Sequence, residues 1–348
     1  MRYKFFTNSE RTWHAMFEAI SNAEKSIYLE MYIFANDMIQ YDFLLLLKEK
    51  AKKGLRVRII LDSFGSINLK NEVIARLRES GAEVFFVSFF FHRAHRKILV
   101  VDESRAFLGG VNLSQQFRFW NDLVMEIKGG RLVRHIIRSF AKVYNECGGG
   151  DPKILSQNQP IILDKTRTWL IEHFPIRKKF NLKKVYKEHL NRAQESIILV
   201  TPYFAPQRWL VKALHQAVLR GVKVEALVSK NTFVPVIYHL IDRVNYFYMR
   251  KLSRLGVGFF IDPTTNHAKV MIIDGKEGII GSQNLDFLSF DFNNEVGVFL
   301  KNSKAVRKLL AIIKNWKKNT SVFDFKNYKP TWFDYILSPF ISLFSRIL

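Results

Sequence analysis

One short chemical phrase occurs twice in this chain of 348 residues. His95-Arg-Lys97-Ile-Leu-Val-Val-Asp102 returns as His267-Ala-Lys269-Val-Met-Ile-Ile-Asp274, 172 residues later. Gly109 and Asn112 follow the first copy at the distances at which Gly281 and Asn284 follow the second. Five chemically distinct positions that share one offset, close to half the chain length, mark an internal duplication. Whatever this chain folds into, it folds into twice.

The repeat extends past the motifs. Ile20-Ser-Asn-Ala-Glu-Lys-Ser26-Ile-Tyr-Leu29 aligns with Leu190-Asn-Arg-Ala-Gln-Glu-Ser196-Ile-Ile-Leu199. Each reads as the end of an amphipathic helix entering an apolar strand. Basic helices follow at about 41–53 and 208–220, closed by glycines (Gly54, Gly221) that suit a C′ position. Strands come next at 55–61 and 222–228, then helices ending near Gly81 and Gly256, then strands at 84–87 and 257–261. Strands alternating with helices predict an α/β layered lobe in each half. The expected division is a first lobe at 1–147, a connection at 148–165 opened by Cys147-Gly-Gly-Gly-Asp-Pro152, a second lobe at 166–320 and an amphipathic tail at 321–348.

Lys and Arg number 54 against 31 Asp and Glu, a formal charge of +23 that favours a polyanionic partner. That partner is either nucleic acid or an anionic membrane surface, and charge alone does not choose. The single cysteine, Cys147, excludes an internal disulfide and a thiolate metal cluster. No uninterrupted run of ~18–20 apolar residues predicts a spanning helix, and the N-terminus lacks a signal-peptide core. The expectation is a chain that touches a membrane without crossing it. In the tail, Phe340, Ile341, Phe344, Ile347 and Leu348 fall on one helical side. That piece either lies among headgroups or packs on a lobe.

The motif's spacing carries chemistry. His95 and Lys97 are two apart, so on a strand they share a face. Residues 98–101 read as a buried strand, Asp102-Glu-Ser-Arg105 as a turn and 106–108 as the return. A hairpin centred between 103 and 104 sets Asn112 across from His95 and Gly110 across from Lys97. Centring the second hairpin within Asp274-Gly-Lys-Glu277 brings Asn284 opposite His267. Each lobe then offers imidazole, ammonium and carboxamide at one strand end. Lysine and asparagine present donors to non-bridging phosphate oxygens. Two histidines with reference pKa of about 6.5 supply a neutral nucleophile and a protonated acid at one pH. Phosphodiester cleavage through a covalent intermediate needs both, one attacking phosphorus and the other protonating the departing alkoxide. No tight His/Asp/Glu cluster is visible, so neither a metal nor a cofactor is expected. The other histidines read as surface or helix positions, His92 being the exception because it lies beside the motif.

On His95, Lys97, Asp102, Gly109-Gly110 and Asn112, and on His267, Lys269, Asp274, Gly281-Ser282 and Asn284, the chain resembles the phospholipase D superfamily. Its signature is HxKxxxxD followed by GG or GS and Asn. Glu30-Met-Tyr32-Ile-Phe34, Leu61-Asp62-Ser-Phe-Gly65-Ser66, Trp120-Asn-Asp122, Thr201-Pro-Tyr203-Phe-Ala-Pro206 and Asn294-Glu295 are similar to segments of bacterial cardiolipin synthases. The similarity is to the short type without N-terminal transmembrane helices. It implies two similar phospholipase D-like lobes, each a mixed β-sheet flanked by helices, related by a pseudo-twofold axis with the active site between them.

The resemblance also implies a phosphatidyl-histidine intermediate, with His95 as nucleophile and His267 as acid/base. Lys97, Asp102, Lys269 and Asp274 complete the catalytic motifs, with the aspartates orienting turn and lysine, and Asn112 and Asn284 bind phosphate. Asp122 and Glu295 look like acidic partners that orient an imidazole Nδ1–H. The implied reaction joins two phosphatidylglycerol molecules into cardiolipin and glycerol. Its setting is a peripheral membrane surface, the cytoplasmic face of a bacterial inner membrane, and a monomer suffices for one site. Phospholipase D hydrolysis, transfer to another alcohol such as serine, and metal-independent cleavage of nucleic acid stay open as alternatives. The chain departs from the family pattern at Glu103, where glycine is usual, and in the phenylalanine-rich stretch Phe85–Phe91. That stretch reads as core plus buried loop, or as an acyl-chain contact.

Overall fold

The apolar runs beside each motif are strands buried along their whole length. The structure, a computed structural model, describes residues 2–89, 92–159, 164–230, 235–332 and 334–336. They form two compact units, Met1–Lys165 with Asn294–Val296, and Thr166–Asn293 with Gly297–Leu348.

In the first half the strands are β1 (Arg2–Asn8), β2 (Ser26–Met31), β3 (Arg56–Asp62), β4 (Glu83–Phe89), β5 (His92–Arg93), β6 (Ile98–Val101), β7 (Arg105–Gly109) and β8 (Asn121–Lys128). The second half has β9 (Trp169–His173), β10 (Ser196–Thr201), β11 (Lys223–Ser229), β12 (Gly258–Asp262), β13 (Val270–Ile273), β14 (Glu277–Gly281), β15 (Glu295–Leu300) and β16 (Ser321–Val322). The sheet orders are β1-β8-β7-β6-β2-β3-β4-β5 and β9-β15-β14-β13-β10-β11-β12-β16. Strand for strand they are the same except at the last position. Strands β2, β3 and β4 run parallel, and β6, β7 and β8 antiparallel. Parallel neighbours cannot be joined by a tight turn. Helices Phe43–Lys52 and Asn71–Glu79 make those crossovers.

Alternation along β2 separates two layers. Ile27, Leu29 and Met31 enter one apolar cluster with residues of helices Ser9–Ser21 and Phe43–Lys52. Tyr28 and Glu30 point the other way, toward helix Gly130–Glu146. There the Tyr28 ring stacks on Phe140 at 5.3 Å. Arg96, fully buried, reaches Glu30 at 3.2 Å and donates to Ser139 Oγ at 2.9 Å. The second lobe has Val200 and Ala268 at these two positions, so the buried ion pair belongs to one copy.

The hairpins differ from expectation by one residue. Val101 pairs with Arg105, and Ile273 with Glu277, so three residues close each turn instead of two. Asp102 and Glu103 are both left-handed (φ 50° and 53°), as are Asp274 and Gly275 (53° and 61°). Two such residues in succession lengthen the loop and slip the register, so Asn112 is not across from His95 nor Asn284 across from His267. Left-handed backbone is uncommon for a residue with a Cβ. Glu103 is held there by its carboxylate, which accepts from Tyr28 Oη at 2.6 Å and pairs with Arg56 at 3.1 Å. Burial, with Glu103 next in effect, pushes the Tyr28 phenol up to about 12.

The described part of the tail packs on helix Pro235–Ser253. Asp334 pairs with Arg243 at 2.7 Å, and Tyr335 meets Phe247 at 5.3 Å. The expected helix over 338–348 lies outside the described residues, as do Phe90 and Phe91. Phe85 packs edge-on to Tyr144 while Phe86 is part-exposed. Among the described residues no helix is long and apolar enough to cross a membrane.

Removing one member of a buried ion pair strands the other's charge. Arg96→Ala is therefore expected to cost about 3 kcal/mol of unfolding free energy in urea denaturation. The apolar double replacement Glu30→Leu with Arg96→Met should recover most of that loss.

Candidate active site

In the first lobe the motif side chains His95 and Lys97 lie on the approach to β6. Lys97 folds back so that Nζ donates to the carbonyl of His95 at 2.9 Å, and it lies 4.7 Å over the ring of Tyr32. The Tyr32 ring in turn meets the His95 imidazole edge-on at 4.7 Å. Asp62, at the end of β3, pins the segment from behind. One oxygen accepts from Ala94 N–H at 2.7 Å, the other from Phe64 at 3.0 Å and Gly65 at 2.8 Å. Burial raises the Asp62 carboxyl and outweighs these donors. Gly65 is forced by space, because a Cβ there would stand 2.3 Å from the Tyr32 carbonyl oxygen.

His95 has an acidic partner within the first unit. Its Nδ1 lies 3.0 Å and 3.1 Å from the two carboxylate oxygens of the buried Glu295. Glu295 arrives there because Asn294–Val296 folds with that unit, with Asn294 N–H donating to Arg93 O at 2.8 Å. A carboxylate on Nδ1 holds the proton at that atom and leaves the lone pair on Nε2. Asp122 is buried beside Gly110, where a Cβ would approach its carboxylate oxygen to 2.2 Å.

The second lobe reaches the same end by other side chains. Lys269 Nζ again donates to the carbonyl of its own motif histidine, His267. Ser229 and Asp262 hold Asn266, the residue before His267. Ser229 Oγ accepts from Asn266 N–H at 2.9 Å, and Asp262 accepts from Asn266 Nδ2 at 3.1 Å. Tyr203 lies edge-on to His267 at 6.5 Å, on a segment clamped by Asn245. The Asn245 carboxamide accepts from Phe204 N–H at 2.7 Å and donates to Pro202 O at 3.2 Å. Asn245 and Asn266 were not singled out from sequence. A buried asparagine three residues after Asp242 on an otherwise apolar helix face was the available signal for the first.

The remaining motif residues divide by role. Asn112 Oδ1 accepts from Ile33 N–H at 3.3 Å, tying the motif's far end to the exit of β2. Asn284 donates its N–H to Ser289 Oγ at 2.9 Å, and its buried Oδ1 has no partner among the described residues. Both motif aspartates lie at the other end of the apolar strand. Asp102 accepts from the N–H groups of Glu24, Lys25 and Ser26 at 2.7–3.2 Å. Asp274 accepts from Gln194, Glu195 and Ser196 at 2.8–3.2 Å. Their carboxylates are thus occupied by turn backbone rather than by the lysines, where the expectation had them orient turn and lysine together. Exposures match across the copies: His95 and His267 at 7% and 6%, Lys97 and Lys269 at 3% and 2%. The two histidines are therefore buried to the same extent, although Tyr32 lies closer to His95 than Tyr203 does to His267. Among the described residues no three His, Cys, Asp or Glu gather as a metal would require.

A family model described as "Cardiolipin synthase, PLD-like domain" matches residues 16–144 and again 186–316. The chain belongs to this family. Each match contains one complete motif and one of the acidic residues Asp122 and Glu295. Membership makes the chain a phospholipid-modifying enzyme of the phospholipase D-like class. A cardiolipin synthase of Geobacillus sp. (strain WCH70) is 30% identical over 94% of this chain and 68% of its own length. A probable cardiolipin synthase of Bacillus subtilis (strain 168) is 28% identical over 99% of this chain and 72% of its own. Among solved structures, the phosphatidylserine synthase of Haemophilus influenzae superposes with a TM-score of 0.78 at 14% identity, covering 99% of this chain and 93% of that one. At that identity the likeness shows a shared fold.

The aspartates yield a prediction that separates anchoring from catalysis. Burial pushes the Asp274 carboxyl up, but the N–H groups of Ser196, Glu195 and Gln194, with Lys276, pull it below its ordinary value. Its stabilisation is then complete above the unfolded value of about 3.9 and fades as pH falls through the lower folded value. Asp274→Ala should lower unfolding free energy by about 1–2 kcal/mol at pH 7. The difference from the parent should shrink toward pH 3, while folded enzyme keeps measurable turnover.

Proposed function

We propose that this chain is a phosphatidyltransferase that makes cardiolipin from two phosphatidylglycerol molecules through a phosphatidyl-histidine intermediate. Nε2 of His95 attacks the phosphorus of the first lipid. The bond from phosphorus to the glycerol headgroup oxygen breaks, and protonated His267 gives that alkoxide its proton, so glycerol leaves. Neutral His267 then takes the proton from the headgroup hydroxyl of a second phosphatidylglycerol. That oxygen attacks phosphorus, the bond to Nε2 breaks, and cardiolipin is released with His95 regenerated. Lys97 and Lys269 offset charge on the non-bridging oxygens, Asn112 and Asn284 donate to them, and no metal or cofactor takes part.

The observation that carries this reading is the Glu295 carboxylate on Nδ1 of His95. It fixes the tautomer in which Nε2 is nucleophilic and stabilises the positive charge that grows on the ring during attack. Similarity to cardiolipin synthases supplies the substrate class. Because each chain carries both motifs, one copy is sufficient. Because the substrate is an anionic lipid, the enzyme works peripherally at a bilayer surface. Asp122 is assigned an orienting role like that of Glu295.

Purified protein incubated in chelator with phosphatidylglycerol vesicles is expected to release cardiolipin and glycerol, and to leave single-stranded DNA intact. Phosphatidic acid as the main product would assign hydrolysis instead, and cleaved DNA with unchanged lipid would assign a nuclease. His95→Ala and His267→Ala should each lower turnover by at least about 1000-fold. Glu295→Gln should lower kcat by roughly a hundredfold with little change in KM. Near-parental turnover in either histidine variant refutes the paired-imidazole mechanism.

A further inference from the structure

We propose that the first lobe docks on an anionic phospholipid bilayer through Ile39, Ile67 and Phe119, which tip three loops around its motif; this rests on the phosphatidyl-transfer reading above. These side chains are 91%, 71% and 82% exposed. Their positions follow from the sheet. Strand β3 is parallel to β2, and β7 is related to β2 by two antiparallel steps through β6. The C-terminal ends of β2, β3 and β7 therefore lie at one edge of the sheet, where the His95 segment also sits. Loops 32–42, 63–70 and 110–120 all leave from that edge.

Hydrogen bonds knit the three loops into one surface. Ala35 N–H donates to Leu113 O and Leu113 N–H to Ile33 O, both at 2.9 Å. Ser114 Oγ donates to Asp37 at 2.7 Å, and Arg118 to Gln40 at 2.6 Å. The last bond joins the immediate neighbours of Phe119 and Ile39. Ser66 Oγ donates to Tyr32 O at 3.1 Å, which ties the loop of Ile67 to the same frame.

Single exposed apolar side chains are ordinary on a protein surface. Three on rigidly cross-linked loop tips at the mouth of one motif are a different arrangement. They match an interface whose interior is hydrocarbon and whose surface is anionic. Exposed Lys70 ends the second loop and exposed Arg11 lies on the helix that starts beside the third. The exposed Asp37 and Asp42 of the first loop are engaged by Ser114, Gln115 and Leu45. Arg93 lies 3.9 Å over the Phe64 ring, and the chain as a whole carries +23. Cations beside apolar tips favour a negatively charged bilayer over a neutral one, since basic groups gain near the headgroups while the tips enter the acyl layer. Docking in this way brings a lipid phosphate to His95 without drawing its acyl chains out of the membrane.

The test uses the full chain with Ile39, Ile67 and Phe119 all changed to Ser, and Leu219→Ser as an exposed control on the second lobe. The triple variant should lose about a hundredfold or more in sedimentation with phosphatidylglycerol vesicles, and should lose turnover on them in parallel. It should retain parental turnover on short-chain phosphatidylglycerol below its micelle concentration, which also shows that it folds. A nitrobenzoxadiazole probe at Phe119→Cys, in a Cys147→Ser background, should shift to the blue on phosphatidylglycerol vesicles and much less on phosphatidylcholine. The same probe at Leu219→Cys should stay unchanged. Parental vesicle binding by the triple variant, or an unmoved probe at 119, overturns the docking surface. A shifted probe without any lipid product upholds docking and overturns the phosphatidyltransferase reading instead.

Discussion

Each motif is built on a strand of four apolar residues fastened at both ends. At one end an aspartate takes three backbone N–H groups from the turn that feeds the neighbouring strand. At the other end a lysine bends back onto the carbonyl of its histidine. Between them, residues 98–101 and 270–273 are buried and fixed in register to β2 and β10. Side-chain direction alternates along a strand, so fixing the register at the aspartate dictates which way histidine and lysine face. The spacing from His to Asp is thus set by the strand between them, and the aspartate fixes the direction of the histidine from the strand's far end.

The copies agree where this requirement acts and differ where it does not. Glu103 occupies a left-handed position that Gly275 fills without strain, and it keeps its place through Tyr28 and Arg56. The Arg96–Glu30 pair has an apolar counterpart in Val200 and Ala268. Asp62 bonds directly to Ala94 N–H, whereas Asp262 and Ser229 act through Asn266. Two sets of side chains therefore support one backbone arrangement, and the supports drift more freely than the reactive groups they hold.

Much of this was legible in the sequence because it is local. Periodicity located the alternating helices and strands, and glycines 54 and 221 marked helix ends. The duplication predicted two like sheets, and the family resemblance followed from the motif residues. What was misread depended on backbone conformation or on contacts between distant segments. The hairpin register was off by one because nothing in Asp102-Glu103-Ser104 announces that a glutamate will take φ of 53°. The aspartates were given to turn and lysine together because their actual partners are backbone groups 76 to 80 residues away. Asn245 and Asn266 were passed over since a lone asparagine acquires meaning only from what it clamps. Glu295 was recognised as an acidic orienter, but that it serves the histidine of the other repeat is a tertiary fact.

That last contact changes what kind of object the duplication has become. Strand β15 completes the second sheet, yet its opening residues fold with the first unit and give His95 its carboxylate. A fragment ending at residue 165 would carry an intact first motif and still lack the group that sets its imidazole tautomer. The two halves look interchangeable when aligned, yet the half that carries His95 does not encode the carboxylate its Nδ1 meets.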